Sequence, residues 1–527
     1  MLSELSDRKI DFAIIHLNIE NYDINLFNLF LNKLKQILLE VSNQTFRNNL
    51  KIFLPEKFPL YFVSENQINI TNIKHDFFEF NFLKAFSLQE AVLKISPAIP
   101  KNIEEQIHQQ QEHIVIQEQH DCFLYFEAIA PLLDIEHSVK LILEHFTYLA
   151  EYTYSDVAVS GFLPIVCNVE LAKRITINEE KYFWNWSDFL LRNTQTLDLE
   201  IYYIEPDYRK YRIRFDLYND RFQQICKNIV EYKSDITYRE IQSIFEKNID
   251  LIRIAPSYIE LELTTRNDLN PKVYPKNPQF YELSIIQIKK ILEDLKEFQL
   301  KRSFTLSLSG TGEPFLYKEL INVLEMAIAS ELFHTIYIET FLYEIQPEVI
   351  DFIKDHQKQI SLIVKLPTLN EELYQELMGI NQIPKIKKHL EQINFLNVYA
   401  EILRIQQVEE ELDSYFDFFK NSSIKPIVGR YNRYGNLLED FSVVDLEPLE
   451  KDYCRSLMFH LFINANGKVP ICRQDILCNY KSYDINQLSL KEIFDDLKKY
   501  YIDFINKNYN QILPLCGSCK DWYVFLG

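Results

Sequence analysis

The most regular hydrophobic pattern in the chain begins at Ser257. Ser257–Thr265 alternates Ile259, Leu261 and Leu263 against Tyr258, Glu260 and Glu262, the period of two that marks a strand. Leu283–Leu300 follows with Ile285, Ile288, Leu292 and Leu295 on one helical stripe and Ser284 placed to cap it. Further strands are predicted over Arg302–Ser309, His334–Glu339, Gln359–Lys365, Asn397–Ile405 and Pro426–Tyr431. Helical patterns over Lys318–Glu331, Pro347–His356, Glu371–Met378 and Glu409–Asn421 separate them. Strands alternating with helices in this way predict a parallel α/β array. A partial (β/α)6 barrel and an open sheet both fit, and periodicity does not separate them.

The pattern before this region is a different mixture of α and β. Asp11–Leu17 and Cys122–Phe126 read as buried strands. Ile135–Tyr152 reads as an amphipathic helix, with Leu141, Ile142, His145, Phe146 and Leu149 on its apolar face and Asp134 as N-cap. A more polar, aromatic-rich stretch containing Trp184 and Trp186 reads as a connection. The expected organisation is an N-terminal mixed α/β domain (1–175), a connecting region (176–255), a partial barrel (256–445) and a small cysteine-bearing segment (446–527).

Composition narrows the classes. Hydrophobic residues make up 47% of the 527 residues, enough for proper cores. The net charge of -20 argues against a general nucleic-acid or anionic-membrane binder. There is no uncharged apolar run of about 18 residues, so no membrane span is expected. Met1–Asp7 lacks the basic and apolar regions of a secretory signal, so a cytoplasmic location is expected. No Ser/His/Asp set, H-E-x-x-H or P-loop is visible. His137, His145, His334 and His460 lie in helical or strand contexts that suit structural roles. Oligomeric state is not legible.

Cysteine usage adds chemistry. Cys122, Cys167 and Cys226 are scattered and suit buried apolar thiols, whereas Cys454, Cys472, Cys478, Cys516 and Cys519 crowd the C-terminal end. Asn466-Gly467 reads as a hairpin turn between two strands, which brings Cys454 towards Cys472. Cys516-Gly517-Ser518-Cys519 is a C-x2-C turn that Gly517 would ease. Cys454, Cys472, Cys516 and Cys519 make a complete tetrathiolate set for a [4Fe–4S] cluster or a structural zinc. The alternative is four unligated thiols. Cys478 is read as a spare.

With only 9 glycines in the chain, two of them in Ser309-Gly310-Thr311-Gly312-Glu313-Pro314 stand out. The segment sits at a strand's C-terminal end, where α/β folds place ligands, and turn N–H groups can receive a carboxylate or phosphate. An ordinary βα turn is the alternative. Gly310, Thr311, Gly312, Glu313 and Pro314 resemble the GGEP-type loop of radical S-adenosylmethionine (SAM) enzymes, in which backbone and Glu hold the SAM amino group. Leu261–Pro275 resembles the frame of that family's C-x3-C-x2-C cluster loop, but its three cysteine positions read Asn267, Pro271 and Tyr274. Ile360–Leu366 with Tyr374 and Gly379, then Glu401–Arg404, then Arg430–Asn432 with Gly435, resemble the fourth, fifth and sixth strands of the same family.

The cysteine pattern resembles a shortened SPASM domain, and the C-terminal half is similar to the spiro-SPASM family. Ala130–Asp134 and Glu151–Asp156 also resemble that family, whose N-terminal domain resembles a sugar-nucleotide transferase. Such domains often carry an acidic metal ligand just before Pro-Leu-Leu; this chain reads Ala128-Ile129-Ala130, which argues against transferase activity.

The resemblance implies a radical SAM architecture without its SAM-cleaving centre, a pseudoenzyme. It implies one [4Fe–4S] cluster (or zinc) at the C-terminal cysteines, with any SAM at the glycine loop a non-catalytic ligand. The implied role is scaffold or binding protein for a peptide or protein. The alternatives are a single-cluster redox or electron-transfer protein, or a peptide-modifying enzyme of atypical chemistry.

Overall fold

The computed structural model describes residues 8–17, 22–43, 52–64, 75–84, 88–95, 121–174, 197–443, 447–448, 451 and 453–524. The chain forms two compact units, Met1–Ile252 and Arg253–Gly527.

The first unit is built on an eight-stranded mixed sheet. Its strands are β1 (Arg8–His16), β2 (Ile52–Phe53), β3 (Phe58–Ser64), β4 (Phe78–Lys84), β5 (Asp121–Phe126), β6 (Tyr152–Tyr154), β7 (Ile165–Asn168) and β8 (Leu199–Ile201). The order is β4-β3-β1-β5-β7-β6-β8, with β2 beside β1. β1 lies parallel to β3 and β5, and β7 runs antiparallel to β5. The apolar run Ala13-Ile14-Ile15 is wholly buried, as a central strand covered on both faces requires. The helix Ile135–Tyr148 starts where expected, Asp134 accepting from the His137 N–H at 3.0 Å. It ends four residues early, because Leu149 turns left-handed (φ 58) and Tyr152 already belongs to β6. Trp184 and Trp186 lie outside the described residues. Residues 197–252 pack within this unit; the Tyr238 N–H, for instance, donates to Asp134 at 3.0 Å.

The second unit holds a seven-stranded, all-parallel sheet. Its strands are β9 (Tyr258–Leu261), β10 (Phe304–Leu308), β11 (Phe333–Thr340), β12 (Ile360–Lys365), β13 (Val398–Arg404), β14 (Lys425–Arg430) and β15 (His460–Ile463), in the order β14-β13-β12-β11-β10-β9-β15. The six strands read from periodicity are β9 to β14. The Asn-Gly turn predicts the seventh, β15, as one arm of a hairpin. It instead pairs parallel with β9, and the stretch before it is a short helix, Arg455–Phe459. The Asn-Gly turn does form: the Gly467 N–H donates to the Asn464 carbonyl at 2.9 Å and Gly467 has φ +78. Its two arms join different sheets, since β16 (Lys468–Pro470) pairs with β17 (Ser482–Asp484). A further helix, Ile383–Gln392, was not expected.

The sheet is curved. A single cavity of ≈ 330 Å³ touches Tyr258 on β9 and Gly429 on β14. In a flat sheet those strands would lie five spacings, roughly 24 Å, apart. Among the described residues β14 and β15 end the sheet without a further strand, so the architecture is a partial barrel. The inner face carries Tyr258, Glu339, Ile363, Lys365, Glu401 and Gly429. Strand pleating turns the alternate residues away from it, and Ile259, Leu306, Ile338, Leu362, Val364, Ala400 and Ile402 are all buried. The polar half of the alternation in β9 therefore faces a barrel interior and not bulk solvent.

Candidate functional site

The loop after β9 is closed by its own residues. Asn267 Nδ2 donates to the Thr311 carbonyl at 3.1 Å, and Asn267 Oδ1 accepts from the Leu269 N–H at 3.0 Å. Pro271 is buried. On either side of it, the N–H groups of Asn270 and Lys272 donate to the carbonyls of Met378 (3.0 Å) and Leu377 (2.8 Å). Tyr274 is buried with its ring edge-on to Phe341, centroids 5.3 Å apart. An amide bridge, a buried pyrrolidine and an aromatic contact thus occupy the three positions singled out in the sequence.

The glycine loop is tied to the same framework. Gly310 has φ +118, and a Cβ there would stand 2.7 Å from Glu262 Cγ. A Cβ on Gly312 would stand 1.9 Å from the Thr264 carbonyl oxygen. Glu262 accepts from the Thr311 N–H (2.7 Å), from the Thr311 hydroxyl (2.6 Å) and, through its other oxygen, from the Ala465 N–H (3.0 Å). Glu313 accepts from the Thr340 hydroxyl (2.7 Å) and from the N–H groups of Phe315 (3.1 Å) and Phe341 (2.7 Å). Burial pushes the Glu313 carboxyl up to about 7 against the pull of those donors. Gly310, Thr311, Gly312, Glu313 and Pro314 are all buried, and the polar groups of Thr311 and Glu313 are engaged within the chain.

The barrel interior holds a charge cluster that the sequence pattern did not single out. Glu260 approaches Arg473 Nε at 2.7 Å and His460 Nε2 at 3.1 Å, contacts of ion-pair kind, and accepts from the Ser309 hydroxyl at 2.6 Å. Burial opposes its charge, but Arg473 and His460 hold the carboxyl well below the usual range. Lys365 pairs with Glu339 at 3.0 Å, and Ser307 donates to the same carboxylate at 3.0 Å. Glu401 stands beside Gly429, where a Cβ would be 2.3 Å from the Glu401 carboxylate. Burial, then the charge of Glu339, lifts the Glu401 carboxyl to about 7, with Lys365 and Arg473 pulling the other way. The available signal was Glu339, Lys365 and Glu401 placed inside otherwise apolar parallel strands, where a buried charge needs a reason. A second cavity of ≈ 560 Å³ shares Gly429, Arg430, Gln474 and Asp521 with the first and reaches Cys519.

Four of the C-terminal cysteines act on one another electrostatically. Burial, then Cys472, then Cys519 and Cys516, pushes the Cys454 thiol well up, so these four lie within one another's field. Burial lifts Cys519 to about 11. Among the described residues, no three His, Cys, Asp or Glu side chains form a ready metal-holding group. The donor chemistry nonetheless fits a thiophilic metal: four soft thiols are held protonated by burial and mutual repulsion, which a central cation would reverse. Cys478 takes a hydrogen bond from Asn464 Nδ2 at 3.2 Å and feels Asp475 and Glu262. Gly517 is not required by the turn: its φ is not positive and the nearest atom to an added Cβ is 4.0 Å away. Cys122, Cys167 and Cys226 are buried, as expected.

No family model matches the chain. An uncharacterised protein of Treponema pallidum (strain Nichols) is 24% identical over 352 residues, 63% of this chain and 95% of that protein. Streptococcus suis SuiB bound to precursor peptide SuiA is similar at 15% identity, covering 67% of this chain and 85% of that one, with a TM-score of 0.42. BtrN in complex with AdoMet and 2-DOIA is similar at 14% identity over 50% of this chain and 92% of that one, with a TM-score of 0.35. Native anSMEcpe with bound AdoMet and Cp18Cys peptide is similar at 12% identity over 51% and 87%, with a TM-score of 0.37. No helix among the described residues is long and apolar enough to cross a membrane.

Proposed function

We propose that this chain is a radical-SAM-like barrel protein that does not cleave SAM and acts by binding a peptide or protein. The observation that carries the proposal is the filling of residues 267–275. SAM cleavage needs an iron–sulfur cluster held by three thiolates, with one iron left open to SAM. Asn267 spends its amide on the Thr311 carbonyl, Pro271 has no ligating group, and Tyr274 packs on Phe341. None of the three offers a thiolate; Tyr274 leaves only a buried phenol hydroxyl, which ordinary burial keeps protonated and which is a poor cluster ligand.

Cys454, Cys472, Cys516 and Cys519 would hold one [4Fe–4S] cluster, or zinc in its place. Such a group supplies cross-linking of the C-terminal segment and, if iron–sulfur, one-electron redox capacity. The peptide reading has support in β14, a sheet edge whose Val428-Gly429-Arg430-Tyr431 stretch lines the larger cavity. An extended peptide can add to such an edge through main-chain hydrogen bonds. The net charge of -20 favours a basic partner.

The test is anaerobic reconstitution of the full chain with iron, sulfide, dithionite and SAM. The expected result is no 5′-deoxyadenosine above a protein-free control; its clear formation defeats the proposal.

A further inference from the structure

We propose that the barrel cavity is a binding site for a small molecule carrying a protonated amine, with Glu401 as the group that anchors it. This deepens, and rests on, the view of the barrel as a binding scaffold. The cavity measures ≈ 330 Å³, at the small end of the range of about 300–1,000 Å³ for small-molecule pockets. Three of its acid–base contacts are internal: Lys365 with Glu339 at 3.0 Å, Arg473 with Glu260 at 2.7 Å, and Arg430 with Asp521 at 3.8 Å. Glu401 is different. It lines the cavity, and among the described residues its carboxylate has neither an ion pair nor a hydrogen bond. Gly429 is what gives that carboxylate room, since any side chain there would collide with it.

Glu401 is therefore a cavity carboxylate without a cation paired directly to it among the described residues; in the same wall stand the rings of Tyr258, Tyr274 and Tyr434, the last two already within cation range of Lys365 and Arg473. A neutral hydroxyl would satisfy a hydrogen bond to Glu401 but not its charge. An ammonium group supplies both.

The groups that act on Glu401 come from every side. Glu339 of β11 raises its proton affinity; Lys365 of β12 and Arg473 lower it. Tyr274 of the loop after β9 and Tyr415 of the helix Leu412–Phe419 lie in its field, and neither hydroxyl has a hydrogen-bond partner among the described residues. With the carboxyl at about 7, roughly half the molecules are protonated at neutral pH. An ammonium ligand selects the ionised half, so binding at pH 7 should release about half a proton.

The experiment is titration calorimetry of the full chain with phenethylamine and with 2-phenylethanol, its uncharged counterpart. At pH 7.5 the amine should bind about tenfold or more tightly than the alcohol. Glu401→Gln should bring the two within about twofold. At pH 7, repeating the amine titration in buffers of different ionisation enthalpy should show release of about half a proton. This last measurement uses the unaltered protein and decides the matter even if the variant fails to fold. Equal binding of alcohol and amine, a preference for the amine retained in a folded Glu401→Gln, binding without proton release, or no saturable binding of phenethylamine would each overturn the proposal. Neither iron nor SAM enters these titrations, so their failure and the appearance of 5′-deoxyadenosine are separate results.

Discussion

Gly310 and Gly312 are needed by the backbone whatever the loop binds. Gly310 sits at φ +118 against Glu262, and Gly312 leaves no space for a Cβ beside the Thr264 carbonyl. Gly312→Ala should cost about 3 kcal/mol or more, and Gly310→Ala a similar amount, because strain and overpacking add. Gly517→Ala should cost almost nothing, since nothing lies closer than 4.0 Å. Urea unfolding of the three variants checks this order. Glu401 makes a pH-dependent prediction. Its carboxyl titrates at about 7 in the folded chain, above about 4.3 when unfolded, so the folded state binds the extra proton. That contribution is complete below about pH 4, fades as pH rises to about 7 and stays lost above it. Glu401→Gln lacks the titration. Its stability relative to the unaltered chain should therefore improve by about 3–4 kcal/mol between pH 4 and pH 8, measured by unfolding at both. At this scale the sequence was only partly legible. The glycine pair stood out by rarity, whereas Glu401 was legible only as part of a strand, since nothing local in the sequence tells which face of that strand borders a cavity.

Secondary elements were the most legible feature, because a parallel sheet buried on its outer face enforces strict periodicity. Glu371–Met378 and the strands β9 to β14 follow the hydrophobic pattern to within a few residues. Partners distant in sequence were not legible. β15 shows the same alternation as a hairpin arm, and only the free edge of β9, about 200 residues earlier, makes it a parallel strand. Arg253 secures this return. Its guanidinium donates to the carbonyls of Leu457 (3.3 Å) and Phe494 (2.8 Å) and lies 3.7 Å over the Phe494 ring. Arg253→Ala should destabilise the second unit by about 3 kcal/mol, since two buried carbonyls lose a charged donor. Arg253→Lys should recover little of that, because one ammonium cannot reach both carbonyls and keep the planar stack. Denaturant titration followed by tyrosine and tryptophan fluorescence reads both.

Across the second unit, two local features run in opposite senses. The loop after β9 is packed shut by Asn267, Pro271 and Tyr274, while four thiols gather near the C-terminal end. The barrel keeps a cavity lined by charged side chains, and the metal site we propose lies in the cysteine segment. The most direct test is iron, acid-labile sulfide and zinc content of the anaerobically purified chain beside its Cys516→Ala variant. One site's worth of metal is expected, about four irons with four sulfides or a single zinc per chain, and it should be lost in the variant. A chain without metal, metal content unchanged by Cys516→Ala, or a second cluster's worth of iron would contradict it.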